Sequence, residues 1–127
     1  MKDRLLRALA RLSSSEYQEA YLVHGSKDEY VTPEDLVEDV ASLCQLAHKT
    51  EFAAQFQASQ LTALLEMIAV IRLHSPQLFA ADRVVDPAAL VRIDGDWAAI
   101  RHAAQGCLVT FGVSPLGLRA EDIDVAK

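Results

Sequence analysis

Hydrophobic residues recur at α-helical spacing along most of the chain. Near its start, apolar positions lie three or four residues apart, which predicts an amphipathic helix over about residues 2–12. The stripe consists of Leu5, Ala8, Leu9 and Leu12. The serine run at 13–15 can cap a second short helix, for which Gly25 is a natural left-handed end. The first 25 residues therefore predict two consecutive helices.

The clearest helix start in the chain is the run Thr32-Pro33-Glu34-Asp35. Threonine can cap a helix, proline suits the first helical position, and the two carboxylates complement the positive end of the helix dipole. The third helix begins here, and its apolar face consists of Leu36, Val40, Leu43, Cys44 and Ala47. The opposite, polar face consists of Asp35, Glu38, Asp39 and Ser42.

A fourth and longest helix is predicted from about residue 51 to residue 73. Its second half is apolar nearly all round, which is typical of a helix that neighbours cover on several sides. We expect it to stop at Ser75-Pro76, because the proline ring disfavours helical backbone in the residue before it. Its inward-facing residues are expected to be Phe52, Phe56, Leu64, Leu65, Ile68 and Ile71.

The last third of the chain also predicts helix. Asp86-Pro87 can open a short one, and Asp96 is expected to cap a longer one after the turn at Asp94-Gly95. This last helix would break at Gly106 if the cost of glycine, about 1 kcal/mol relative to alanine, is decisive. Its stripe consists of Trp97, Ile100, Ala104, Cys107, Leu108 and Phe111. The segment 107–113 also suits a buried strand, but a single strand has no pairing partner, so we expect helix.

These elements predict an all-α fold, a compact single-domain bundle of about five to seven helices around a long central helix. The chain has no linker, repeat or low-complexity segment, so we expect one domain over residues 1–127, with 115–127 a loosely held tail. At 127 residues and 51% hydrophobic content, it has enough apolar material for one sizeable core. Cys44 and Cys107 are not part of a CxxC motif, and we expect both to be buried, reduced thiols.

The overall charge restricts the range of partners. A net charge of −6 makes nucleic acid and an anionic membrane surface poor candidates, because binding phosphate needs a basic face. The longest apolar stretch, 67–71, is far short of the roughly 20 residues that span a bilayer. Charged residues also interrupt the apolar start, unlike in a secretory leader. We therefore expect a cytoplasmic protein that binds neither nucleic acid nor membrane.

No motif points to catalysis. The histidines form no HExxH, HxH or i, i+4 pair, and the acids around Asp94 lack the remaining positions of a calcium loop. There is no GxSxG motif and no phosphate-binding glycine run. We expect no enzymatic activity, no metal and no cofactor. The histidines, which we expect to be structural, are His24, His48, His74 and His102.

The placement of the acidic residues is the strongest signal of function. Six of the 18 acidic residues fall within positions 28–39, where there is no lysine or arginine. They are Asp28, Glu29, Glu34, Asp35, Glu38 and Asp39. Several share a helix face and repel one another by a few tenths of a kcal/mol per pair, so the segment gives up stability to keep them. This predicts a docking surface for a basic protein.

The acidic face can instead be simply solvated, or it can dock within the molecule on the first helix. Residues 1–12 carry four basic residues against one acidic residue, a local charge of +3. The arginines Arg4, Arg7 and Arg11 share one face of that helix. Opposite charges are thus available for a contact between the first and the third helix.

Residues 9–47 resemble small bacterial immunity proteins that are encoded beside polymorphic or contact-dependent toxins. The resemblance is carried by Leu12-Ser13, Glu16-Tyr17-Gln18 and Thr32-Pro33-Glu34-Asp35-Leu36. It implies a protein that binds a cognate toxin domain, one that is expected to be basic, and blocks its active site without catalysis of its own. The acidic segment 28–39 would then be the contact surface. The alternative is a helical scaffold or regulatory interaction module without a toxin partner.

Overall fold

The computed structural model describes residues 1–24, 32–80 and 86–114. Helices account for most of these ranges, and no strand occurs in them, which confirms the all-α prediction. The helices are α1 (Lys2–Ser13), α2 (Ser15–Gln18), α3 (Pro33–Ala47), α4 (Thr50–Ala53), α5 (Ala58–Leu78), α6 (Pro87–Ile93) and α7 (Gly95–Thr110). A π-helical segment, Glu19–Val23, continues α2. The predicted helix end at Gly25 and the predicted tail at 115–127 lie outside the described residues.

Four longer helices form the core of the bundle. Helix α1 packs against α3 and α7, and α5 packs against the same two helices, so the four enclose a common apolar interior. Helix α6 contacts α7 and the π-helical segment at one side. The buried hydrophobic residues of all these helices belong to one cluster. None of the helices in the described ranges is long and apolar enough to cross a membrane.

The starts of α2 and α3 follow the local sequence. Ser14 caps α2 by accepting a hydrogen bond from the backbone N–H of Tyr17 at 3.0 Å. Helix α3 begins with a reciprocal pair: the N–H of Asp35 donates to Oγ1 of Thr32 at 3.1 Å, and the N–H of Thr32 donates to the Asp35 carboxylate at 3.4 Å. The predicted helix start at Thr32 is confirmed.

The predicted long helix over residues 51–73 is wrong in its bounds. The structure contains the short α4 and then, after a break, the 21-residue α5. At the break, the N–H of Gln57 donates to Oε1 of Gln60 at 2.9 Å, which caps the new helix. The break lets Phe56 turn inward, where it meets Phe111 edge-on with the ring centroids 6.0 Å apart.

Helix α5 also ends later than expected. It passes through Pro76 and ends at Leu78. The proline is tolerated because it lies in the last turn, where only one helical N–H···O bond is lost. Leu65, predicted to face inward, is 55% exposed, and Leu73 is 65% exposed, so one side of α5 is open to solvent.

Helix α7 differs from its prediction at its start and agrees with it towards its end. Its cap is Asp94, whose Oδ1 accepts the N–H of Trp97 at 3.0 Å, and not Asp96. The helix continues through Gly106 to Thr110, so most of 107–113 is helical and the strand alternative is wrong. Gly112, which has a φ of 78°, ends the helix in the left-handed conformation that glycine adopts without strain.

Candidate functional site

The described part of the acidic segment lies at the start of α3. Its four carboxylates belong to Glu34, Asp35, Glu38 and Asp39. All four of these residues are exposed. Asp28 and Glu29, also predicted to bind a partner, lie outside the described residues. The structure therefore places the α3 acidic face, defined here as the four described residues, on the surface of the bundle.

The four carboxylates do not all have the same role. Asp35 belongs to the reciprocal cap with Thr32, so its side chain also stabilises the start of α3. No hydrogen bond or ion pair in the described ranges engages the side chain of Glu38 or Asp39. These two residues are consequently the most informative ones to substitute when binding and folding have to be separated.

The arginine face of α1 meets the edge of this acidic face. A cleft of about 180 Å³ lies between α1 and α3. It is lined by Arg4, Arg7, Ala8, Arg11, Asp39 and Leu43. Within the described residues, no ion pair joins these arginines to Asp39 or to another carboxylate of α3. For the hypothesis that the acidic face docks on α1, the structure thus shows one carboxylate, that of Asp39, beside the arginines of α1, but no ion pair between them in the described ranges.

The ion pairs in the described ranges lie elsewhere. Nδ1 of His74 lies 2.7 Å from Oδ1 of Asp96, which joins α5 to α7. The Arg92 guanidinium donates to both carboxylate oxygens of Glu19, at 2.8 and 2.9 Å, and joins α6 to the π-helical segment. This hydrogen bonding lowers the pKa of Glu19 and raises the pKa of Arg92. Both pairs connect elements of the fold.

A larger groove, of about 320 Å³, is lined by residues of both α5 and α7. Cys107, Glu66 and His102 contribute to its lining, together with small residues such as Ala63 and Gly106. Burial raises the pKa of the Cys107 thiol to about 11, so at neutral pH the sulfur is protonated and a poor nucleophile. The groove therefore does not present the activated thiol that cysteine chemistry requires.

No group of three or more potential metal ligands occurs within the described ranges. His48, for instance, lies with its ring nitrogens 2.8 and 3.1 Å from the carbonyl oxygens of Cys44 and Leu61. These contacts connect the end of α3 to α5. The absence of catalysis stays a prediction.

Neither a protein-family model, nor a curated protein, nor a solved structure matches this chain. What the described residues define is a class of architecture, an all-α bundle with an acidic helix face beside an arginine-lined cleft. The spacing of Arg4, Arg7 and Arg11 was visible in the sequence. Their shared cleft with Asp39 was not, because it depends on how α1 packs against α3.

Proposed function

We propose that this protein is a cytoplasmic immunity-type protein that binds a basic toxin domain and occludes its active site through the α3 acidic face. The observation that supports this best is the clustering of four carboxylates on the first two turns of one surface helix. Like charges at this spacing destabilise the helix. A basic partner would relieve that repulsion and gain electrostatic steering during association.

The geometry also suggests which residues contribute most. Glu38 and Asp39 are exposed and have no hydrogen bond or ion pair from their side chains in the described ranges, so their carboxylates are available to a partner's lysines and arginines. An exposed ion pair is worth little in isolation, but a pair desolvated at an interface can cost roughly 2–5 kcal/mol to truncate. Asp35 would take part with its cap intact, since a carboxylate oxygen can accept more than one hydrogen bond.

The test starts with the product of the gene adjacent to this one. That product is expressed alone and together with this chain, and growth of the host is measured. We expect growth arrest that this chain relieves. A neighbouring product that is harmless, or that this chain neither binds nor neutralises, would contradict the immunity function and favour a helical interaction module without a toxin partner.

Binding kinetics then test the surface. We expect the association rate to fall as salt rises, and the double variant Glu38→Lys/Asp39→Lys to bind much more weakly. A matched control is Glu51→Lys/Glu66→Lys, which changes the net charge equally on α4 and α5, where both residues are exposed. If both double variants lost binding affinity equally, net charge alone would determine binding, and this would contradict a contact on α3. Thermal melts of the variants check that folding is preserved.

A further inference from the structure

Two of the arginines that line the cleft between α1 and α3 each carry a buried polar atom without a hydrogen bond in the described ranges. Nε of Arg7 and Nε of Arg11 are buried, and neither has a hydrogen-bond partner within residues 1–24, 32–80 and 86–114. Buried N–H groups in folded proteins are nearly always hydrogen-bonded, and an unpaired one costs free energy. The two arginines that carry these donors also line a cleft of about 180 Å³, together with Arg4.

The spacing of the arginines suits a compact acceptor. Arg7 and Arg11 are four positions apart, so they are neighbours on the surface of α1, and Arg4 lies one turn before Arg7. A guanidinium group donates in a planar fork that matches oxyanions, with Nε–H as one of its donors. Two adjacent guanidinium groups can therefore hold one oxyanion together, while the third lines the same cleft.

The balance of charge distinguishes between oxyanions. The cleft holds three guanidinium groups and the carboxylate of Asp39, which together give a charge of +2. A phosphate monoester carries about −1.5 to −2 at neutral pH, whereas a carboxylate carries only a single negative charge. One carboxylate would leave half of the positive charge in the cleft uncompensated, so the charges match a phosphoryl group better.

We propose that the cleft lined by Arg4, Arg7 and Arg11 is a binding site for a single phosphoryl group, either free phosphate or the phosphate of a small molecule. A nucleic-acid backbone is disfavoured, because its neighbouring phosphates would meet the α3 acidic face at the rim of the cleft. The site shares Asp39 with the α3 acidic face, but phosphate binding does not depend on the proposed partner-binding function. Asp39 contributes its charge from the α3 side of the cleft.

The experiment is a titration of the ¹⁵N-labelled protein with inorganic phosphate, followed through the arginine Nε–H resonances. We expect saturable binding of one phosphate, with shifts in the Arg7 and Arg11 signals. Arg7→Gln and Arg11→Gln should each weaken binding about tenfold or more, since hydrogen bonds to charged groups are the strong ones. Arg72→Gln, an equal change of charge on an exposed residue of α5, should leave phosphate binding unchanged.

Asp39→Asn tests the same site in the opposite direction. Removing the carboxylate from the cleft should tighten phosphate binding about threefold or more, because it removes a negative charge from the lining of the same cleft. Glu51→Gln, on α4, should have no such effect. Tighter phosphate binding by Asp39→Asn cannot arise from misfolding. The proposal therefore remains falsifiable even if an arginine variant is unstable.

Four further ligands define the outcomes. The affinities for glycerol phosphate and for inorganic phosphate are compared, since the first is an ester and the second is the free ion. The ligand that binds more tightly identifies the source of the phosphoryl group. Acetate that binds as tightly as phosphate would overturn the assignment in favour of a carboxylate. The assignment would also be overturned if a short single-stranded oligonucleotide bound more tightly than phosphate, or if chloride bound as tightly as phosphate. The absence of saturable phosphate binding would overturn it as well.

Discussion

The indole N–H of Trp97 donates to the side-chain oxygen of Gln18 at 2.9 Å, and both side chains are completely buried. The amide nitrogen of Gln18 donates in turn to the carbonyl oxygens of Arg11 and Leu12, at 3.1 and 2.7 Å. These are carbonyl groups of the last turn of α1, which have no partner within the helix. One glutamine therefore ties α1, α2 and α7 together and satisfies polar groups that burial would otherwise penalise.

Replacing Gln18 with methionine should destabilise the protein by about 2–4 kcal/mol, because it leaves the Trp97 N–H and two carbonyl groups buried without these hydrogen bonds. Urea unfolding measures the change. Gln45→Met is the matched control, since Gln45 is exposed on α3, and it should change the free energy of unfolding by less than about 0.5 kcal/mol. Similar losses in the two variants would show that the buried network contributes nothing specific.

The two sides of α5 should respond differently to truncation. Ile68 is 7% exposed and Leu65 is 55% exposed, although only three positions separate them. Ile68→Ala should cost roughly 2–5 kcal/mol through lost burial and a residual cavity. Leu65→Ala should cost much less, because its side chain is already largely in water. Thermal or urea unfolding of both variants tests this, and an equal cost would mean that α5 is covered on both sides.

The reciprocal cap at the start of α3 should contribute measurable stability. Thr32→Ala removes the oxygen that accepts the N–H of Asp35, and a lost cap of this kind costs about 0.5–2 kcal/mol. Thr62→Ala is the comparison, because Thr62 lies within α5, where alanine has the higher helix propensity. We expect opposite or clearly unequal changes in the midpoint of unfolding. A Thr32→Ala variant as stable as the parent would contradict the role of the cap.

The buried thiols predict a loss of stability at alkaline pH. Desolvation raises the pKa of Cys44 from 9.0 to about 12, with a smaller contribution from Cys107. The pKa is thus higher in the folded state than in the unfolded state. The stabilising contribution is complete below pH 9.0 and is lost as the pH rises towards about 12. Unfolding free energies measured across this range should fall with pH, and the slope should be shallower in Cys44→Ala.

The same burial predicts slow reaction of both thiols with a labelling reagent at neutral pH. Cys44 is 0% and Cys107 4% exposed, and both are free cysteines. The labelling rate should therefore be limited by local opening of the structure, and it should increase in denaturant. Rapid labelling of either thiol in the native protein would contradict its place in the core.

Much of the local structure follows from residues close together in the chain. Leu5, Leu9 and Leu12 share a face at helical spacing, and all three are completely buried in the structure. The start of α3 at Thr32 and the exposure of Glu38 also follow from local patterns. Such features are predictable because a cap or a helix face depends on backbone geometry within about four residues.

The predictions of helix bounds are wrong where the local sequence allows two different helix starts equally well. Asp94 and Asp96 can each cap a helix; in the structure Asp94 is the cap, and Asp96 pairs with His74 of the neighbouring helix α5. Likewise, a continuous helix through Gln57 and a new helix capped by Gln60 are both compatible with the local sequence. The break accompanies the contact between Phe56 and Phe111, which lie far apart in the chain.

The sequence by itself determined that the chain is helical, which side of most helices is apolar, and that carboxylates gather on α3 and arginines on α1. Only the tertiary structure decided that Arg7, Arg11 and Asp39 share one cleft, and that Gln18 pairs with Trp97, 79 positions away. The physical reason is the range of the interactions. Helix periodicity is a property of neighbouring residues, whereas the position of one helix against another is set by the packing of all the side chains between them.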